Sequence, residues 1–256
     1  MKKRNLGRSG LAVTDIALAV RGDVSLLSAG VAGGCNFYWT DARVEAPPEA
    51  VLARRINPPS FEPQPYQAEA WEALLTDAGR IDVGTVVLSS ADLLLDAGVR
   101  RHIERHKGIA FKAAGLWAGR PDEALLAIDI GDWDVIFLPY SVFRNHDYID
   151  VFDRASKRGV GLVATGDVLL TQQESALMAT PREVRDHLLE ALPGRRFLDL
   201  AVQFALARDE VSSVLVPVRT AADVEEVLKT DDHTTLSAND IETVQRVSLG
   251  LPARRS

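Results

Sequence analysis

Short apolar runs alternate with amphipathic stretches along almost the whole chain. Strands are predicted at Ile16 to Val20, Asn36 to Thr40, Gly84 to Ser89, Ile109 to Ala114, Trp133 to Leu138, Val160 to Ala164 and Val214 to Val216. Between them the periodicity predicts helices at Val24 to Ala32, Gln67 to Ala78, Asp92 to Arg105, Pro121 to Ile128 and Asp147 to Arg158. Further helices are predicted at Pro181 to Leu192, Phe197 to Arg208, Ala221 to Lys229, and Ala238 to Val247 behind Ser237 as cap. Arg4 to Thr14 reads as a hairpin turning between Gly7 and Gly10. Regular strand–helix alternation is the mark of βαβ units and a parallel sheet.

One strand is hard to place. Pro47-Pro48 is expected to open a helix through Ala53. Ile56 to Tyr66 then carries four prolines, and each proline removes a ladder donor. A strand here is expected to be short, irregular, or replaced by an extended crossing near Arg55–Ile56. A domain linker is a weaker reading, because the piece before it is too short to close a barrel. With this damaged strand counted, the slots number eight, and the expected fold is a (β/α)8 barrel formed by residues 1–256 as a single domain.

Composition narrows the partners. The chain has 256 residues, 46% hydrophobic and 25% charged, with a formal net charge of −7. An acidic balance without a basic block argues against nucleic acid and against an anionic membrane surface. No signal-peptide core follows MKKRNLGR, and no apolar run is long enough to span a bilayer, so a cytoplasmic location is expected. The single cysteine, Cys35, excludes an intrachain disulfide and reads as a small buried thiol.

In such a barrel the chemistry sits where the strands end, at the C-terminal mouth. The residues expected there are Arg21, Trp39, Asp41, Arg43, Ser90, Trp117, Tyr140 and Asp167. Asp41 and Asp167 are candidates for an acid/base pair if they converge. Against that stands the plain reading of two solvated rim carboxylates. Lys112, placed mid-strand, is a candidate base or Schiff-base residue if desolvated, and a solvated edge lysine if not. His102 and His106 lie one helical turn apart, but no third ligand is evident nearby, so no metal is expected.

The stretch from Gly34 to Thr40 also carries a resemblance. Its frame, Gly34-Cys35-Asn36-Phe37-Tyr38, then Thr40, resembles the aldo-keto reductase strand Gly-x-Asn-Phe-(Phe/Ile)-Asp-Thr-Ala-x-x-Tyr-Gly. Trp133-Asp-Val-Ile-Phe-Leu-Pro-Tyr-Ser141 resembles that family's sixth strand, and Phe197 to Lys229 its last helix, strand and helix. The resemblance implies a barrel plugged by the N-terminal hairpin, and NADPH-dependent carbonyl reduction by an Asp, Tyr, Lys and His tetrad. The chain departs from that chemistry. Trp39 stands at the Asp position and Val44 at the Tyr position. Ser89-Ser90 ends the strand that carries the His, and no lysine occurs between Lys3 and Lys107. At the nicotinamide contacts the alignment sets Gly115-Leu116, Phe137, Thr165 and Ala19-Val20-Arg21. Arg219 and Thr220, before a helix, match the family's adenosine-phosphate side.

The expectation is therefore a barrel without NADPH redox chemistry. No cofactor is expected beyond residual NADP(H) or phosphate binding at Arg219 and Thr220. A small organic ligand would bind among Arg21, Trp39, Arg43, Ser90, Trp117 and Phe137, with non-redox catalysis by Asp41, Asp167, Lys112 or Tyr140. The first alternative is a non-catalytic module for a protein partner, docking through Asn57–Pro65. The second is a reductase with a displaced phenol, Tyr38 or Tyr140.

Overall fold

A computed structural model describes residues 1–20, 23–59, 65–76, 79–88, 91–165, 179–232 and 235–250. Eight parallel strands close into a barrel: β3 (Ile16–Ala19), β4 (Phe37–Thr40), β5 (Val51–Arg55), β6 (Val83–Val87), β7 (Ala113–Trp117), β8 (Val135–Leu138), β9 (Gly161–Thr165) and β10 (Val211–Pro217). They follow one another in chain order, and β10 pairs with β3 to seal the ring. The outer layer holds α1 (Val24–Ala32), α2 (Ala68–Thr76), α3 (Asp92–Leu95), α4 (Ala97–His106), α5 (Pro121–Ile130) and α6 (Ile149–Arg158). It continues with α7 (Ala179–Ala191), α8 (Phe197–Leu206), α9 (Ala221–Leu228) and α10 (Ala238–Ser248).

Strand alternation sorts the core into two parts. Ala17, Phe37, Val51, Ala53, Val83, Ala113, Val135, Phe137, Val163 and Leu215 point inward and fill the barrel. Their neighbours point outward and pack beneath the helices. The hairpin of β1 (Lys3–Asn5) and β2 (Ala12–Thr14) closes the N-terminal end by adding Leu6 and Val13, both fully buried, to the inner set. Gly7 permits this closure. Its φ is +54°, and a Cβ there would lie 2.1 Å from the backbone nitrogen of Gly161.

The third barrel strand corrects the sequence reading. Val51–Arg55 is a full strand, paired to β4 from Phe37↔Val51 to Thr40↔Arg54 and to β6 from Ala53↔Val83 to Arg55↔Thr85. The prolines flank it instead of interrupting it. Pro47-Pro48 forms a turn, with the Ala50 amide bonded to the Pro47 carbonyl at 3.0 Å, so no helix runs through Ala53. Residues 41–50 therefore join two parallel strands without the usual crossover helix. Beyond the strand, Asn57 extends the pairing with its side chain. Its amide donates to the Val87 carbonyl at 2.9 Å and accepts from the Val87 N–H at 2.8 Å.

A second correction concerns β7, which spans Ala113–Trp117 and not Ile109 to Ala114. Gly108, at φ +83°, turns the chain, and Ile109 is left 85% exposed, so the apolar Ile109-Ala110-Phe111 run belongs to a loop. The expected helix Asp92 to Arg105 is broken at Asp96, whose carboxylate accepts the Gly98 N–H at 2.6 Å and caps α4.

Candidate ligand site at the barrel mouth

The inward positions nearest the strand C-termini include Ala19, Trp39 and Trp117, which pack on the inner core. Alternation with Val51 and Ala53 turns Arg55 to the same side. Trp117 stacks on Phe137 at 5.5 Å with 7° between the rings, and Trp39 meets Trp117 edge-on at 5.3 Å. Phe137 in turn contacts Phe37 at 6.5 Å. These four rings fill the upper barrel. Phe137 is fully buried and forms a floor, while Trp39 and Trp117 keep partial exposure above it. The Trp39 indole N–H is buried with no hydrogen-bond partner among the described residues. A donor in that state lacks what such groups normally find.

Arg55 supplies the charge at this level. Its Nε donates to the Asn57 carbonyl and a terminal nitrogen to the Pro58 carbonyl, both at 2.9 Å, which fixes the side chain. Burial lowers its pKa, and the nearby negative charge of Asp41 works the other way. A guanidinium stays protonated regardless. Asp41 itself is exposed, just past the end of β4.

The remaining expected residues scatter. Lys112 sits at the N-terminal end, one residue before β7, where its Nζ pairs with Asp82 at 2.8 Å and its side chain is 63% exposed. It is neither mid-strand nor desolvated, because the strand register differs from the expected one. Tyr140 points outward into a buried cluster with Tyr148, Phe152 and Phe204 at 4.9 to 5.6 Å. Burial raises its pKa, against a hydrogen bond and charge from Arg208. Arg43 is exposed, and its Nε lies 3.7 Å from where a Cβ on Gly79 would be, in the turn before β6 and away from the mouth. At Arg219 and Thr220 both amides donate to the Asp223 carboxylate at 2.9 Å, within a capping box that starts α9. A phosphate there would have to displace a carboxylate. Arg21, Ser90 and Asp167 lie outside the described residues.

The sequence reading missed Arg55. The tetrad lysine of the resembled family sits on the third barrel strand, and Arg55 ends that strand here. The signal was the proline-free run Val51 to Arg55, masked by the prolines on both sides. The later placement of β7 moves the C-terminal exit of the fifth barrel strand from Gly115-Leu116 to Trp117-Ala118.

A closed ring of eight parallel strands with a hairpin plug at its N-terminal end is the fold of the aldo-keto reductases. The holo form of aldo-keto reductase AKR11C1 from Bacillus halodurans superposes with a TM-score of 0.76, at 17% identity over 96% of each chain. Its apo form gives 0.73 at 18% identity, again over 96% of each chain. No protein-family model matches the sequence, and no curated protein matches it. Among the described residues no helix is long and apolar enough to cross a membrane.

Proposed function

We propose that this aldo-keto-reductase-like barrel binds a small planar organic molecule at its mouth and does not transfer hydride from NADPH. The observation that carries the proposal is the buried, unpartnered Trp39 N–H beside the partly exposed face of Trp117. Such a floor favours a flat ligand with a hydrogen-bond acceptor, and the neighbouring Arg55 charge favours a carboxylate or similar anion. Any acid/base step would draw on Asp41 and on Asp167 if they converge.

The case against reduction rests on the tyrosines. The chain has four. Tyr38 is fully buried and donates to the Cys35 carbonyl at 2.7 Å. Burial is the main cause of its raised pKa. Tyr66 lies beside His102, and Tyr140 and Tyr148 pack together under the helices. No phenol is placed to protonate a carbonyl at the mouth, which counts against a displaced donor. Val44, at the family's Tyr position, is buried in the outer core. The nicotinamide contacts do not fit either. Trp117-Ala118 offers no side-chain acceptor, and the ring stack fills the space beneath.

The protein-docking alternative gains from this filled barrel, but its expected loop starts with Asn57 tied to Val87 and Pro58 bound by Arg55. Tryptophan fluorescence tests the proposal. Planar carboxylates should quench or shift the Trp39/Trp117 emission saturably, and Trp39→Phe should remove most of that response. Tight NADPH binding with turnover of a simple aldehyde would overturn it.

A further inference from the structure

We propose that Glu72, His102 and His106 form a transition-metal site, best suited to zinc, that clips α2 to α4 on the outside of the barrel. The three residues present candidate ligand atoms that all lie within 4.8 Å of one another. His102 and His106 share one face of α4, and Glu72 faces them from α2. Their rings are 4.5 Å apart. His106 Nε2 lies 2.9 Å from Glu72 Oε1, and His102 Nδ1 lies 3.7 Å from the same oxygen. Ligands around a tetrahedral zinc, bonded at about 2.0–2.2 Å, stand about 3.4 Å from each other. The observed separations bracket that value, so small side-chain rotations would admit the ion.

The site is also held in place. His102 is 1% exposed and packs edge-on against Trp71 at 5.2 Å and Tyr66 at 5.8 Å. Its Nε2 is buried with no partner among the described residues, so Nδ1 is the nitrogen turned to the cluster. Neutral imidazole is the form that ligates. Two imidazoles and one carboxylate suit Zn²⁺, Co²⁺ or Ni²⁺ better than Ca²⁺ or Mg²⁺. The Glu72 side chain is 38% exposed and that of His106 16%, which leaves an entry path and room for a water as fourth ligand. The Tyr66 hydroxyl, 3.2 Å from His102 Nδ1, is placed to hydrogen-bond that water. Arg105 also reaches Glu72 Oε1 at 3.4 Å, but its side chain is 68% exposed and free to turn outward.

The role is structural. Trp71 is the one buried residue of α2, with Leu75 only partly buried beside it on the core, so a clip to α4 would add to a small apolar anchor. The sequence could not show the site, because its third ligand comes from a different helix. The inference is independent of what binds at the mouth.

The full chain, stripped with a chelator, is titrated with zinc chloride in a calorimeter and melted with and without zinc. About one zinc per chain should bind, and the melting temperature should rise. His106→Ala and Glu72→Gln, both at partly exposed positions, should each weaken binding at least tenfold and abolish the thermal shift. His187→Ala, on the exposed side of α7, should change neither. Absence of zinc binding overturns the proposal. So does binding that survives both ligand substitutions, which would place the ion elsewhere.

Discussion

The two ends of the barrel are built from different materials. At the N-terminal end, carboxylates precede the strands and are answered by cations. Asp82 accepts the Leu52 N–H at 3.0 Å and pairs with Arg80 and Lys112. Asp134 accepts the Ala114 N–H at 2.9 Å and pairs with Arg8 and Lys107. Arg8 comes from the hairpin and also donates to the Gly131 and Trp133 carbonyls, so the plug is bolted to the barrel floor. At the C-terminal end stand stacked rings, one half-buried guanidinium and an indole donor without a partner. The N-terminal end holds its buried carboxylates in paired networks, although the Trp133 indole N–H there is also buried without a partner among the described residues. The C-terminal end sets its unpartnered donor beside partly exposed rings, and that exposure separates site from scaffold. A charged residue is thus weak evidence of chemistry until its end of the barrel is known.

The sharpest way to break this contrast is to remove the floor of the mouth. Phe137 is fully buried between Phe37 and Trp117. Phe137→Ala should cost roughly 3–5 kcal/mol of stability through lost burial and a cavity. Denaturant unfolding measures the cost. Trp117 should also lose its stacking partner and change its emission. A loss below about 1 kcal/mol would mean that the ring stack is not packed as core.

The bottom end should respond to pH as well as to mutation. Burial pushes the Asp82 carboxyl up, but the hydrogen bond from Lys112, the Leu52 amide and the Arg80 charge together outweigh it, leaving the pKa below the ordinary value. A carboxyl lowered by folding stabilises the protein above its unfolded pKa, near 4, and that contribution fades as pH falls through the folded value. Asp82→Asn should cost roughly 1–3 kcal/mol at pH 7. The gap between the variant and the parent should close below about pH 4. A gap independent of pH would show that shape, not charge, ties Asp82 to its partners.

Much of the fold was legible in periodicity, and α1 was placed at its observed bounds, Val24–Ala32. The failures have physical causes. Prolines at 47, 48, 58 and 59 hid β5, because a proline next to a strand looks in sequence like a proline within it. An apolar loop at Ile109 to Phe111 imitated the strand that begins four residues further on, at Ala113. That slip carried Lys112 into the candidate site and hid the placement of Trp117-Ala118. Tyr140 was read at a strand exit, but which way a side chain turns past the last ladder residue depends on neighbours such as Phe152 and Phe204, far away in sequence. Trp39 and Trp117 were named from the sequence; that they meet edge to face, with one donor left over, is a property of the closed ring.

The smallest expected effect comes from Lys112→Ala. The lysine side chain is 63% exposed, so its pair with Asp82 is screened, and Asp82 keeps Arg80 and the Leu52 amide without it. The stability loss should stay within about 1 kcal/mol, less than that of Asp82→Asn, since the buried carboxylate needs its partners more than an exposed ammonium does. Ligand-induced fluorescence at the mouth should not change, because the residue lies at the other end of the strands. A clear loss of ligand response with stability intact would return Lys112 to the site and dissolve the division between the two ends.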